Sequence, residues 1–240
     1  MATAGSASPG GDDVPRLTDA QRALRTQILA TEHWSLLASR STTQSEVLTR
    51  IAIFLTLVSA GVFSLGVLGN ATGFRGWFAG VAIGVLLVLS VLGAMTQLRV
   101  LNTAHEDLAY VLAMNRLRGA YVDLDPGVER YLVMSPADDE AGAARTYYPF
   151  ASRDRTQALA SSMLLILVVE SVLVGTLCGS VVRAATGSVG WAVGIGVVVA
   201  VAHCGFWVLR GYRGYRAVWR VHVPLRHSVP PAGTGPAGTP

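Results

Sequence analysis

Four long apolar stretches dominate the pattern of hydrophobic and polar positions along the chain. Residues 51–74, 76–98 and 184–209 carry no Asp, Glu, Lys or Arg, and residues 156–182 carry only Glu170. A helix needs about 20 mostly apolar residues to cross roughly 30 Å of hydrocarbon. The pattern therefore predicts four transmembrane helices, at residues 51–69, 77–95, 158–182 and 189–209.

Short connections indicate how these four spans are arranged. Residues 70–76 join the first two spans and residues 183–188 join the last two, so each pair should form an antiparallel hairpin. The sequence predicts an all-α integral membrane four-helix bundle, made of two antiparallel hairpins, with a small helical cytoplasmic layer. The predicted segments are a disordered N-terminal tail (1–15), a cytoplasmic helical segment (16–50), transmembrane hairpin 1 (51–95), a second cytoplasmic helical segment (96–157), transmembrane hairpin 2 (158–209), and a basic juxtamembrane segment with a disordered tail (210–240).

The placement of arginine predicts the orientation in the membrane. All 19 basic residues are Arg, with five in residues 1–50, seven in 97–157 and five in 210–240. Lys and Arg concentrate on the cytoplasmic side of membrane proteins. We therefore expect a multi-pass protein of the plasma (cell) membrane, with both termini and the 96–157 segment in the cytoplasm.

The basic surplus of the chain comes from one segment. Residues 210–240 contain five Arg and no acidic residue, whereas residues 97–157 contain nine acidic residues against seven Arg. This distribution indicates a juxtamembrane tail on anionic lipid and no nucleic-acid surface. The simpler interpretation is positive-inside anchoring beside an aromatic belt. The predicted lipid-headgroup contacts are Arg213, Arg216, Arg220 and Trp219.

Local signals also predict helices outside the spans. Thr18 followed by Gln21 forms a capping box, which predicts the start of a helix that leads towards the first span. Leu24 and Ile28 share a face of this helix, and we expect it to rest on the membrane surface or on the middle cytoplasmic segment. Residues 135–144, "SPADDEAGAA", are predicted to be a loop.

A heptad-like stripe continues the second span into the cytoplasm. Polar residues on such a seam commonly set register or oligomeric state, which is the favoured interpretation of His105 and Asn115. A ligand-contacting or pH-sensitive His105 is the alternative. The stripe consists of Leu98, Leu101, His105, Leu108, Leu112, Asn115 and Gly119.

One acidic side chain interrupts the third span. Glu170 lies twelve residues from both ends of that span, so we expect it near the bilayer midplane, neutral and facing the bundle interior. Ser64, at a similar depth, is a candidate hydrogen-bond partner. His203 lies about 9 Å from its cytoplasmic helix end, against about 18 Å for Glu170, so no direct pair is expected. Glu170 is interpreted as a structural core acid, with a proton- or ion-coupling site or a lipid-facing residue as alternatives.

Small residues recur at four-residue spacing in the spans. Gly76, Gly80 and Gly84 repeat on the second span, and Gly190 and Gly194 begin the fourth. This spacing lets helices approach closely. It predicts tight packing within the bundle or between protomers of a homo-oligomer.

Chemistry-bearing motifs are missing from the sequence. It contains no nucleophile elbow, no phosphate-binding glycine loop and no Cys/His cluster with metal-ligand spacing. We therefore predict no catalytic residues, no metal site and no cofactor, and a protein that is not an enzyme.

Two segments outside the spans carry a resemblance. "EHWSLLASRS" holds a W-x-L-L-x-x-R pattern from Trp34 to Arg40, and "AMNRLRGAYVDLDPG" holds an M-N-R-L-R segment before Tyr121 and an acidic-Pro turn. Over roughly residues 30–155 the chain resembles an uncharacterised family of small multi-pass membrane proteins from high-GC Gram-positive bacteria. The resemblance implies the fold and the location but no reaction. It also implies cytoplasmic contacts through Asn115, Arg116 and Arg118, although a solvated, positive-inside helix end would explain the same residues.

These observations favour a non-enzymatic membrane scaffold, sensor or partner-binding subunit that works through its cytoplasmic helices. Its expected partners are the lipid bilayer and either a second copy or another membrane protein. The alternative is a small proton- or ion-coupled transporter or channel that uses Glu170. A membrane-disrupting effector is a third and weaker interpretation.

Overall fold

Helices make up almost all of the described protein. The computed structural model describes residues 18–150 and 162–228, so the predicted disorder of residues 1–15 and 229–240 lies outside the described residues. No strand occurs in the described ranges, which confirms the all-α prediction. The helices are α1 (Asp19–Thr72), α2 (Phe78–Leu124), a 3₁₀ helix (Pro126–Tyr131), α3 (Glu140–Tyr147), α4 (Ser162–Thr186) and α5 (Val189–Val221).

Four helices are long and apolar enough to cross a membrane, and the protein is a membrane protein. These helices are α1, α2, α4 and α5, and each contains one predicted span, although residues 158–161 of the third span lie outside the described part. The short links after α1 and α4 lie at one end of the four-helix bundle. All other described segments gather at the opposite end.

Helix α1 runs without a break from the capping box into the membrane. The side chain of Thr18 caps the backbone of Gln21 and the side chain of Gln21 caps Thr18 in return, as predicted. No Gly or Pro interrupts residues 19–60, so the helix of 54 residues extends for about 80 Å. Leu24 therefore lies about 40 Å from the start of the span. The prediction that the face of Leu24 and Ile28 rests on the membrane is wrong, and both side chains are 59% exposed.

The membrane helices pack in chain order, with α1 on α2, α2 on α4 and α4 on α5. Helix α4 is the most enclosed, since 39% of its apolar window is buried, against 11% for α1 and 17% for α5. Because α1 and α5 each pack mainly on one neighbour, most of their apolar surface faces outward. In a membrane that surface contacts lipid.

Only some of the small residues at four-residue spacing pack against another helix of the chain. A Cβ added to Gly179 would lie 2.7 Å from the carbonyl oxygen of Ala192, and one added to Gly196 would lie 2.8 Å from that of Gly175. These contacts bring the α4 and α5 backbones close together. By contrast, a Cβ on Gly80, Gly84 or Gly194 would meet no atom within 4 Å, and Gly76 precedes α2 with a φ of 62°.

We call the part of the protein outside the predicted spans, at the end opposite the short links, the helical layer. It comprises residues 18–50, 96–150 and 210–228. Helix α3 begins inside the predicted loop 135–144, so that loop prediction is wrong. The side chain of Asp139 accepts a hydrogen bond from the amide of Gly142 and caps a helix that the small residues continue.

Candidate functional site

The carboxyl group of Glu170 is sealed between three membrane helices. Glu170 lies on α4, is 0% exposed and faces Gly93 of α2, where an added Cβ would overlap the carboxyl group. The Cζ atom of Phe54 on α1 lies 2.8 Å from that same Cβ position. Glycine at position 93 is therefore what allows the carboxyl group and the aromatic ring to approach α2.

Polar side chains of α2 flank this contact. Ser90 is three residues before Gly93 and Gln97 is four residues after it, so all three share a helix face. Ser90 is 7% exposed and Gln97 is 0% exposed. The hydroxyl of Ser90, both amide atoms of Gln97 and both carboxyl oxygens of Glu170 have no hydrogen-bond partner among the described residues. We call Ser90, Gln97 and Glu170 the intramembrane polar cluster.

The structure sets the level of this cluster against the predicted spans. Gly93 lies two residues inside the layer-side end of span 77–95, and Phe54 three residues inside that of span 51–69, which correspond to about 3 and 5 Å. Glu170 is level with these two residues, although it lies twelve residues from both ends of span 158–182. The predicted spans are therefore not in register with one another, and the midplane depth of Glu170 stays a prediction.

Ser64 is not a partner of Glu170. Its side chain is exposed on α1, and it lies ten residues, or about 15 Å, beyond Phe54 along the helix. Ser64 was expected beside Glu170 because the third span was placed in the wrong register against the first. The buried hydroxyl near the carboxyl group belongs to Ser90, which sequence reasoning missed because Ser90 is an ordinary small residue in an apolar span.

His203 forms a separate hydrogen-bonded link between α4 and α5. Its Nδ1 lies 3.1 Å from Oγ of Ser171, and its Nε2 accepts a hydrogen bond of 3.1 Å from Nε1 of Trp207. The hydroxyl of Ser171 donates to the carbonyl of Leu167 at 2.7 Å, so its oxygen is left to accept from Nδ1–H. This arrangement fits a neutral imidazole with its proton on Nδ1. His203 does not pair with Glu170, in line with the expectation.

The intramembrane polar cluster contains an acidic side chain that has no charged partner among the described residues. No ion pair reaches Glu170 within the described ranges. An isolated carboxylate in such a place costs several kcal/mol, and the neutral acid is the cheaper state. The amide of Gln97 both donates and accepts, so it complements a carboxylic acid in either orientation.

Asp107 joins three helices of the helical layer. Its carboxylate accepts hydrogen bonds from Nε and Nη2 of Arg40 at 2.7 and 3.2 Å, from Gln44 at 2.8 Å and from the hydroxyl of Tyr147 at 2.7 Å. Burial works to raise the pKa of Asp107, but the hydrogen bonds from Arg40 and Tyr147 outweigh it and hold that pKa below its usual value. Sequence reasoning missed Asp107, because Arg40 lies 67 residues away.

Asn115 is a structural residue and not a contact for partners. It is 0% exposed, and its Nδ2 donates to the carbonyl of Ala137 at 2.8 Å. Its Oδ1 accepts from Arg118 at 2.7 Å and from the hydroxyl of Thr146 at 2.9 Å. Full hydrogen bonding of a buried amide fixes the position of α2 against α3. The prediction that Asn115 contacts a partner is therefore wrong. Its burial agrees with the interpretation of Asn115 as a polar residue on a packing seam.

Arg116 also stabilises the fold through hydrogen bonds within the chain. Its Nε donates at 2.6 Å to Asp138, a residue with 0% exposure, and its Nη2 donates at 2.7 Å to the carbonyl of Val223. The carboxylate of Asp138 also accepts from the backbone amides of Leu225 at 2.9 Å and Arg226 at 2.8 Å. Burial works to raise the pKa of Asp138, but these hydrogen bonds hold it below its usual value.

The segment after α5 is therefore bound to the helical layer. Besides the contacts of Asp138, the backbone amide and hydroxyl of Ser228 both donate to Asp139 at 2.7 Å. His222 lies 2.7 Å from the carbonyl oxygen of Asp138, and Arg226 pairs with Asp123. We call residues 222–228 the tail clamp, because they hold the end of the last membrane helix against the loop before α3.

Two further predicted contact residues pack inside the layer. A Cβ on Gly214 of α5 would overlap the ring of His105, so His105 packs against α5. Trp219 packs with Val218 on a cluster of buried residues, and its indole nitrogen is buried, so the prediction that it contacts lipid headgroups is wrong. The cluster consists of Leu108, Val111, Leu112 and Ala143.

The three predicted lipid-contacting arginines of α5 are exposed, but α5 does not turn onto the membrane surface. It continues as one helix to Val221. Arg213 lies four residues beyond the predicted span, or about 6 Å, whereas Arg216 and Arg220 lie about 10 and 16 Å beyond it. Headgroups extend only about 5–8 Å from the hydrocarbon. Arg213 is thus the closest of the three to the predicted span, and headgroup contact by these arginines stays a prediction.

An exposed apolar surface lies on the part of α1 farthest from the membrane. His33 packs against Tyr121 near the end of α2, with ring centroids 6.1 Å apart. Residues 19–32 therefore extend past α2, and we call them the overhang. Leu24 and Ile28 on the overhang are each 59% exposed, and Trp34 beside it is 71% exposed. Sequence reasoning noted Leu24 and Ile28 but expected their face to be covered.

Neither a metal-binding cluster nor a comparison with known proteins assigns a function to this site. Among residues 18–150 and 162–228, no group of three or more His, Cys, Asp or Glu side chains could hold a metal ion. No family model, no curated protein and no solved structure matches the chain. The resemblance to small multi-pass membrane proteins of high-GC Gram-positive bacteria thus remains an expectation from two sequence segments.

Proposed function

We propose that the protein is a non-enzymatic membrane scaffold that binds a protein partner through the overhang of α1. The observation that carries the proposal is the exposed apolar face of Leu24 and Ile28, with the exposed Trp34 as a second apolar patch nearer the membrane. Trp34 lies 17 residues before the first span, or about 26 Å from the hydrocarbon, so lipid does not cover it. Exposed apolar patches away from the membrane mark interaction surfaces.

Hydrogen bonds in the rest of the helical layer support this role, because they hold the overhang in a fixed position. Asp107, Asn115 and Asp138 each bind several donors or acceptors from different segments. Asp107 fixes the base of α1 against α2, while Asn115 and Asp138 fix α3, the loop before it and the segment after α5, and the overhang is left projecting. The helical layer would face the cytoplasm of a cell with a plasma membrane, because 17 of the 19 Arg residues flank it or lie in it.

Charge substitution in the overhang tests the proposal. In the variant with both Leu24→Glu and Ile28→Glu, we expect partner binding in native membranes to be lost, since two carboxylates would be buried at the interface. The measurement combines in-membrane crosslinking, co-purification and identification of the crosslinked peptide. Folding should not change, because both side chains are exposed.

Thr31→Glu is the matched control, since Thr31 is an exposed polar residue of the same helix turn region. It should retain the same crosslinked species. A species that is a second copy of the chain would make the scaffold a homo-oligomer. Crosslinks that are absent from the wild type, or unchanged in the Leu24 and Ile28 variant, would contradict the proposal.

Proton or ion coupling through Glu170 is the second candidate, favoured by the unpartnered carboxyl group beside Gln97 and Ser90. Transport would require this cluster to open, since Glu170 is 0% exposed. If this candidate is right, an imposed proton gradient should change the internal pH of liposomes that contain the wild type. Liposomes that contain Glu170→Gln should show no such change. Glutamine keeps the hydrogen-bonding shape but cannot release a proton. Equal rates in both proteins would reject the candidate.

A further inference from the structure

Arg118 carries a positive charge that no described carboxylate balances. It is partly buried on α2, and its Nη1 donates at 2.7 Å to the neutral amide oxygen of Asn115. None of the ion pairs in the described part of the chain includes Arg118. A guanidinium has five N–H donors in a planar fork, so most of its hydrogen-bonding capacity is left for another group.

The neighbouring arginine already has a carboxylate of its own. Asp107 binds Arg40 through both carboxylate oxygens and also accepts from Gln44 and Tyr147. Burial and the charge of Arg40 both lower the pKa of Arg118. Arg40 is therefore paired with an acid, whereas Arg118 is in none of the described ion pairs.

Two more polar groups lie beside Arg118. Nδ1 of His33 on α1 is buried and has no hydrogen-bond partner, and the ring of His33 packs against that of Tyr121 at 6.1 Å. Burial and the charge of Arg118 lower the pKa of His33, so at neutral pH its ring is uncharged and can donate from Nδ1. Tyr121 lies three residues after Arg118 on the same face of α2, and His33 packs against Tyr121, so the three groups share one neighbourhood.

The location excludes lipid phosphate as the ligand. Arg118 lies 23 residues beyond the end of the second span at position 95, or about 35 Å along α2. Lipid headgroups occupy only about 5–8 Å next to the hydrocarbon. A group that reaches Arg118 must therefore come from solution.

We propose that Arg118, His33 and Tyr121 form a binding site for a soluble phosphate-type oxyanion between α1 and α2. The guanidinium fork matches two oxygens of such an anion, His33 supplies a donor from the facing helix, and the Tyr121 hydroxyl supplies another. The bound anion would balance the charge of Arg118 and hold the base of the overhang to α2. This inference does not depend on the proposed function.

Thermal unfolding of the full-length protein in detergent tests the site, with inorganic phosphate as the probe at constant ionic strength. We expect a saturable rise in Tm for the wild type. Arg118→Gln keeps a donor for Asn115 but loses the charge, and it should weaken phosphate binding about tenfold or more. His33→Ala and Tyr121→Phe should each weaken it by a smaller factor. Because these two changes leave the Asn115 contacts intact, they test the site even where Arg118→Gln lowers stability.

Arg213→Gln is the matched control, since Arg213 is an exposed arginine close to the membrane. It should bind phosphate like the wild type. Liposomes with phosphatidylglycerol in place of phosphatidylcholine should give no stabilisation that depends on Arg118. The proposal is overturned by a wild type that does not respond to phosphate, by equal responses in Arg118→Gln and Arg213→Gln, or by a stabilisation through Arg118 that needs anionic lipid.

Discussion

Replacing Gly93 with alanine is expected to lower the free energy of unfolding of the membrane bundle by roughly 1–3 kcal/mol. The added Cβ would overlap the carboxyl group of Glu170 and would lie 2.8 Å from the ring of Phe54. Neither side chain can retreat easily, because Glu170 is 0% and Phe54 2% exposed. Equilibrium unfolding in mixed micelles, followed by circular dichroism, measures the change.

Two further variants separate this effect from a general effect of alanine in α2. Gly84→Ala adds the same methyl group where no atom lies within 4 Å, so its stability should equal or exceed that of the wild type. Adding Glu170→Ala to Gly93→Ala removes the overlapping carboxyl group, and the double variant should regain much of the lost stability. If Gly93→Ala and Gly84→Ala are equally stable, Glu170 does not pack as the structure shows.

The contact between Gly93 and Glu170 illustrates what sequence could and could not predict. The apolar windows predicted four membrane helices, because hydrophobic length is a local property. The Thr18 and Gln21 capping box was predicted for the same reason. The relative heights of α2 and α4 depend on which side chains interlock, and no local pattern encodes that. An acid in the middle of an apolar run was therefore placed level with the wrong residues of the neighbouring spans.

The helical layer was harder to predict than the spans. Arg40 and Asp107 are 67 residues apart, and Arg226 and Asp138 are 88 residues apart. Neither pair produces a periodic signal in the sequence. Asn115 was correctly singled out as a polar residue on an apolar seam, but its burial turned a predicted contact into an internal hydrogen-bonding centre. Whether such a polar residue contacts a partner or stabilises the fold depends on its exposure and not on its residue type.

Fixed contacts in the layer also connect the membrane helices to its outer parts. Helix α5 ends in the tail clamp, and the clamp binds the loop that positions α3. Helix α3 in turn bonds to Asp107 through Tyr147, and Asp107 holds α1 through Arg40. A change in the position of α5 would thus reach the base of the overhang through described hydrogen bonds, and Asp138 is one link in that path.

Asp138→Ala is expected to release the tail clamp from the loop before α3. The side chain of Asp138 is 1% exposed and accepts from Arg116 and from the amides of Leu225 and Arg226. Hydrogen bonds to a charged group contribute about 1.5–3 kcal/mol each, so losing three should destabilise the clamp by roughly 3 kcal/mol or more. Hydrogen exchange of the Leu225 and Arg226 amides should accelerate by a factor of about 100 or more.

Asp123→Ala is the matched control, because Asp123 also pairs with the tail clamp through Arg226. Its side chain is 64% exposed, and such surface pairs contribute at most about 1 kcal/mol. The amides of Leu225 and Arg226 should stay nearly as protected in Asp123→Ala as in the wild type. Equal exchange in the two variants would show that Asp138 does not anchor the clamp.

Acid should release the clamp in the wild type by the same route. Burial works to raise the pKa of Asp138, but its hydrogen bonds hold it below the usual value of 3.8. A carboxyl group whose folded-state pKa is depressed stabilises fully above its unfolded pKa, and this stabilisation is lost as pH falls through the folded-state pKa. Protection of the Leu225 and Arg226 amides, corrected for intrinsic exchange, should therefore be constant above about pH 5 and fall below about pH 4. Asp138→Ala has already lost this carboxylate, so its residual protection should fall less over the same range, and an equally steep fall would assign the acid sensitivity to another group.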